Sequence, residues 1–168
     1  MVLTLGTAIV GILQLVISII LAVVALYIGF SVFGKITKGI DEEKEIAKGN
    51  TAIGIIVASV FIAIGIVVQS GVQGISVGLS QAMQVGLLSS GGIAIIIVSI
   101  VQLVLGIVLA IGAIYLALNI LDKLTTGIDE FGELKKGNVA VALEMAGVII
   151  TVAIIIQSGV LGLTAALI

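Results

Sequence analysis

The residues of this chain that could do chemistry are few, and most of them fall in two short stretches. Asp41 and Glu42 form one acidic pair, and Asp129 and Glu130 form another. Carboxylates are the oxygen ligands that hold hard cations. Adjacent side chains need not converge, however, and Lys residues stand close to both pairs, so a solvated, ion-paired loop accounts for them and no metal site is expected. His and Cys are both absent, which removes the commonest metal ligand and thiolate chemistry. No combination of Ser, base and carboxylate suggests a nucleophilic enzyme, and there is no phosphate loop. The reading is a protein with no catalytic residues and no cofactor.

The other polar candidates stand singly in apolar surroundings: Gln14, Gln69, Gln102, Asn119, Thr151, Gln157 and Glu144. They are candidates for a pore lining or a polar interior, with helix packing as the alternative, because polar side chains in membranes often only join helices. Glu144 is the one acidic residue inside a predicted span. Its spacing from Ala140, Gly147, Thr151 and Ser158 keeps all five near one helical face. A lipid-facing charge is costly, so its carboxylate is expected to point into the bundle, into a wet vestibule, or toward Lys135 or Lys136.

The elements that hold these residues follow from composition. The 168 residues are 61% hydrophobic and 10% charged, with a mean hydropathy of +1.47, far from the roughly 25% charge of soluble domains. Four long apolar runs each reach the roughly 20 helical residues that cross a bilayer. The runs are continuous rather than alternating, which favours helices over a barrel. With no Pro, straight or gently bent helices are expected. The N-terminal run lacks a basic leader and continues past the length of a signal, so it reads as a retained span. The fold class expected is an all-α integral membrane protein of four transmembrane helices, arranged as two parallel two-helix repeats with an interfacial or re-entrant linker helix.

The polar stretches KITKGIDEEKEIAKGN (35–50) and KLTTGIDEFGELKKGN (123–138) match without a gap at an offset of 88 and contain all the Lys residues. The chain is therefore read as a duplication: residues 1–74 the first repeat, 75–92 a linker and 93–168 the second repeat. In each polar stretch a turn leads to a short helix, and Asn50 and Asn138 follow Gly49 and Gly137 as N-caps of the next span. Small residues mark one face of every span, Ala52, Ser59, Ala63, Ser70 and Gly74 in the second and Ala140, Gly147, Thr151, Ser158 and Gly162 in the fourth. These faces are expected to form the bundle interior. In the linker Gln73, Ser76, Ser80, Gln81 and Gln84 share a face, the pattern of an interfacial amphipathic helix, a re-entrant half-helix or an extension of the second span.

The motifs Gly39-Ile40-Asp41-Glu42, Lys48-Gly49-Asn50 with Ala52, and Gln69-Ser70-Gly71 recur as Gly127-Ile128-Asp129-Glu130, Lys136-Gly137-Asn138 with Ala140, and Gln157-Ser158-Gly159. In this the chain resembles the DUF350 or UPF0719 family of small inner-membrane proteins, in two tandem copies. The resemblance implies paired transmembrane helices without an established activity. It also implies an association with envelope maintenance or stress, hence a scaffold or partner role. The repeats depart from each other at Glu144 opposite Ile56, Asp122 opposite Gly34 and Asn119 opposite Ser31.

The Lys distribution places both polar loops in the cytoplasm and both termini outside a plasma (inner) membrane. The functional expectation is a small channel or ion-permeation protein. The alternative is a structural or scaffold protein that binds an envelope-maintenance partner through its cytoplasmic loops. Expected partners are membrane lipids, further copies of the chain and an envelope-stress protein; mixed charges in two loops give no nucleic-acid surface.

Overall fold

The computed structural model describes residues 2–36, 39–125 and 127–167. Six helices follow one another: α1 (Val2–Ile36), α2 (Glu42–Ala47), α3 (Thr51–Val85), α4 (Ser90–Leu124), α5 (Glu130–Lys135) and α6 (Val139–Leu167). Each repeat is thus a long helix, a six-residue polar helix and a second long helix.

The expectation of four spans is not met. Among the described residues three helices are long and apolar enough to cross a membrane, Thr51–Val85, Ser90–Lys123 and Val139–Gly162. In α1 the apolar run among the described residues is Leu15–Ile28. The described chain is all-α, with three such helices.

The linker helix, interfacial or re-entrant, is also absent. Residues 75–85 continue α3, and α4 begins at Ser90. Two features explain this. Ser76 and Ser80 spend their hydroxyl protons on Val72 O and Ser76 O, both at 2.9 Å, so they sit in an apolar helix without needing water. Gly74, Gly78 and Ala82 are buried, which binds the segment into the bundle. The reversal itself is short. Gly86 ends α3 at φ +96°, and Ser89 Oγ accepts from Gly92 N at 3.0 Å to cap α4.

α3 is the central element. It packs against α6 and α4, which also pack on each other, and more lightly against α1. Ile53, Ile56, Val67, Leu118, Leu134, Met145 and Ile149 fill the core where these helices meet. The cavity between α3 and α4 is lined by Ala63, Ile64, Val67, Ile107, Ala110, Ile111 and Ile114. The described core is mostly apolar, and α1 stands off it across a cavity of about 610 Å³ whose lining includes Ser18, Phe61 and Gln69.

Candidate functional site

The two polar helices lie at the same end of the bundle and touch. In the first, Asp41 Oδ1 accepts from Lys44 N at 3.1 Å and starts α2. Gly49 (φ +80°) reverses the chain, and Asn50 Oδ1 accepts from Ile53 N at 3.3 Å to start α3. The second repeats this plan. Asp129 Oδ1 accepts from Gly132 N at 3.0 Å, Gly137 takes φ +82°, and Asn138 Oδ1 accepts from Ala140 N at 3.1 Å. Positive φ is why glycine stands at both reversals.

The two asparagine amides are used differently. Asn50 Nδ2 donates to Glu45 Oε2 at 3.2 Å and across the repeats to Leu134 O at 3.0 Å. Asn138 Nδ2 donates to Glu133 Oε2 at 2.8 Å within its own repeat. Between the loops lies an open polar groove of about 350 Å³, with Glu45, Lys48, Asn50, Lys135 and Lys136 on its walls.

Charges on this face are mostly satisfied locally. Lys44 pairs with Asp41, Lys48 with Glu45 and Lys136 with Glu133, at 2.6 to 2.7 Å. The hydrogen bond from Lys44 holds the Asp41 carboxyl below the ordinary range. Lys48 and then Asn50 do the same for Glu45, and Asn138 and then Lys136 for Glu133. Such exposed pairs orient side chains more than they stabilise the fold.

Glu42 and Glu130 occupy equivalent places with different surroundings. Glu42 is half-buried, whereas Glu130 is 1% exposed and its Oε1 meets the Thr125 hydroxyl. That hydroxyl also reaches Leu121 O at 2.7 Å. A hydroxyl has one proton, so Thr125 Oγ1 shares it between Leu121 O and Glu130 Oε1. Burial, and then Asp122 nearby, push the Glu130 carboxyl above its ordinary range, with a further contribution from Glu144. The sequence has a signal for this in the acidic residues Asp122 and Glu144, which stand where the first repeat has Gly34 and Ile56. Among the described residues no group of three or more acidic side chains is placed to hold a metal ion.

The scattered polar candidates do not converge. Gln102 is 6% exposed, with both amide atoms lacking a hydrogen-bond partner. Asn119 donates to Tyr115 O at 2.7 Å on its own helix. Gln69 is exposed and Gln157 half-buried. The side chain of Gln14 lies outside the described residues. Glu144 and Thr151 are exposed on the outer side of α6.

This last placement extends to the whole stripe. Ala52, Ser59, Ala63, Ser70 and Gly74 are buried on α3, while Ala140, Gly147, Thr151, Ser158 and Gly162 are all exposed on α6. α3 has three long helices around it and α6 has two, so the same face is covered in one repeat and bare in the other. The expectation that the small faces of all spans turn inward holds for α3 and not for α6.

The fold and this polar end define a multi-spanning α-helical membrane protein built from a tandem repeat. The family model described as Domain of Unknown Function (DUF350) matches residues 6–109 and again 99–168. The chain belongs to the DUF350 family. No curated protein and no solved structure matches it.

Proposed function

We propose that the protein is a membrane scaffold whose joined polar face docks an acidic segment of an envelope-associated protein. The observation that carries this reading is the pairing of α2 and α5 by the bond from Asn50 to Leu134 O, which builds one groove out of two loops. Three Lys side chains border it, and Lys135 and Lys136 come from the other repeat than Lys48. The all-or-none distribution of Lys supports a cytoplasmic position for this face.

A channel through one chain is less well supported, because the space between α3 and α4 is lined by Ile, Val and Ala and the larger one between α1 and α3 has only Ser18 and Gln69 as polar lining. Ion permeation retains one supporting observation. Glu144, Thr151 and Ser158 lie exposed on one side of α6, where several copies could share an axis.

Two measurements separate the readings. A photo-crosslinking residue at Val139, on the groove wall, should yield one dominant adduct in intact cells. That adduct should be lost when Lys135 and Lys136 are both replaced by Glu. Purified protein in liposomes should add no cation flux. Flux above protein-free vesicles that changes in Glu144→Gln would replace docking by permeation, and the absence of any charge-dependent adduct would end the scaffold reading.

A further inference from the structure

The bare face of α6 has an occupant specified by the chain's own repeat. Inside the chain, α3 receives α4 on small residues. A Cβ on Gly71 would run into the Leu103 side chain, whose own Cβ lies 3.2 Å from it, and a Cβ on Gly78 would meet Ser99, with its Cβ at 3.1 Å. Leu103 is 2% exposed there. The contact is thus a leucine seated on a glycine, the close backbone approach that drives helix association in lipid.

The offset of 88 carries Gly71 to Gly159 and Leu103 to Leu15. Neither has a counterpart in the chain. Gly159 is exposed with nothing within 4 Å of a Cβ built on it, and Leu15 is 60% exposed. The neighbours behave alike. Val67 and Ile107 line the cavity between α3 and α4, while their equivalents are exposed, Ile155 on α6 and Ile19 at the edge of the wide cavity between α1 and α3. Each chain therefore contains one completed contact and, on α1 and α6, the two unjoined halves of another.

The sequence adds an independent sign that the halves fit. Where the inner contact opposes Gly78 to Ser99, the offset opposes Ala166 to Gly11. In sequence the glycine changes sides, and a residue no larger than serine again stands opposite it.

We propose that α6 of one copy receives α1 of a second copy, with Leu15 seated on Gly159 as Leu103 is seated on Gly71. The contact is heterologous, so each copy offers one half to each of two neighbours, and rings or open rows follow according to the angle between copies. It stands independently of the docking reading.

The test uses the absence of Cys from the chain. Leu15→Cys and Gly159→Cys copies with different tags are co-expressed and oxidised in their membranes. A disulfide-linked pair carrying both tags is expected, at least tenfold more abundant than from Leu15→Cys with Leu161→Cys, where Leu161 lies at nearly the same depth on another side of α6. Gly71→Cys with Leu103→Cys in one chain is the internal standard, since their Cβ separation is close to the 3.5–4.5 Å that disulfides favour. Equal linking through Leu161, a link that forms only within one chain in the double variant, or no link while the standard forms would each overturn the proposal. Native mass spectrometry from nanodiscs reads the same contact without cysteine. Wild type should exceed one copy, and Gly159→Leu should fall to monomer with unchanged helicity; an unaltered oligomer in that variant would also overturn it.

Discussion

Asn50 Nδ2 stands 3.0 Å from the carbonyl oxygen of Leu134, a bond between the two repeats that Asn138, at the equivalent position, does not return. Both residues cap a long helix through Oδ1, so the pair differs in the donation across the repeats, to Leu134 O and more weakly, at 3.5 Å, to Lys135 O. Replacing either with Ala removes a cap, at a cost of about 1 kcal/mol. Asn50→Ala should lose about 0.5–1.5 kcal/mol more, the net worth of a hydrogen bond. Asn50→Ser keeps a capping oxygen and drops the amide donor without setting a charge against Glu45, and should show the smaller loss alone. Unfolding of each variant in mixed micelles, followed by far-ultraviolet circular dichroism, gives the comparison. Equal losses for the two Ala variants would reduce Asn50 to a cap.

Glycines in the long helices divide by what stands beside them. A Cβ at Gly71 meets Leu103, and one at Gly92 meets the backbone oxygen of Gly86, whereas Gly65 has nothing within 4 Å and Gly91 nothing nearer than 3.8 Å. Overfilling a packed site costs about 1–3 kcal/mol. Gly71→Val and Gly92→Ala should be destabilised to that extent. Gly65→Val and Gly91→Ala should unfold with wild type within about 0.5 kcal/mol. Gly92→Ala is the more demanding case, because a carbonyl in a tight reversal cannot rotate aside as a leucine can.

Glu130 gives the fold a pH dependence of definite sign. Its carboxyl is raised above 4.5 first by burial and then by Asp122, so the folded state binds a proton that the unfolded chain releases more readily. The stabilisation is complete below the unfolded pKa and is lost as pH rises through the folded one. Thermal stability in detergent should therefore fall from acid toward neutral pH. Glu130→Gln, neutral throughout and still able to accept from Thr125, should flatten that part of the profile and be at least as stable as wild type at pH 7. The exposed carboxyls Asp41, Glu45 and Glu133 act oppositely, since their pairing is lost only as pH falls below their lowered values. A Glu130→Gln profile that still declines toward neutrality would remove Glu130 as the source.

Much of the helical content and of the polar end can be read from residue order alone. Asp41, Gly49 and Asn50 announce a capped short helix, a reversal and a new helix, and their recurrence at Asp129, Gly137 and Asn138 announces the duplication. The end of α3 cannot be read this way. Gln73, Ser76, Ser80 and Gln84 look interfacial, because periodicity does not reveal that serine hydroxyls are satisfied one turn back or that Gly78 is the floor under Ser99. The fate of the small faces is equally hidden. Ser70 and Ser158 have the same neighbours in sequence, yet Ser70 is buried and Ser158 exposed; the difference lies in how many helices surround α3 and α6. Repeat symmetry predicts equal faces, and a chain with two ends covers only one of them.

The last prediction concerns which end of the bundle faces the cytoplasm. α3 has 35 residues and rises about 52 Å, more than the roughly 40–45 Å of a bilayer with its headgroups. Its two ends therefore leave the membrane on opposite sides. At one end lie α2 and α5, bridged by Asn50, with Lys44, Lys48, Lys135 and Lys136 in them or capping them and Lys123 in the last turn of α4. At the other lies the turn through Leu88, which is exposed and has no charge near it. Excess Lys marks the cytoplasmic side. Cysteines at Glu43 and Ile128, both exposed and neither removing a positive charge, should resist an impermeant thiol reagent in intact cells and react once the membrane is opened. A cysteine at Leu88 should react from outside. Labelling of Glu43 and Ile128 in intact cells with protection of Leu88 would invert the orientation. Labelling of one of the first two without the other would mean that α2 and α5 do not share a side, and the bond from Asn50 to Leu134 would not exist in the membrane.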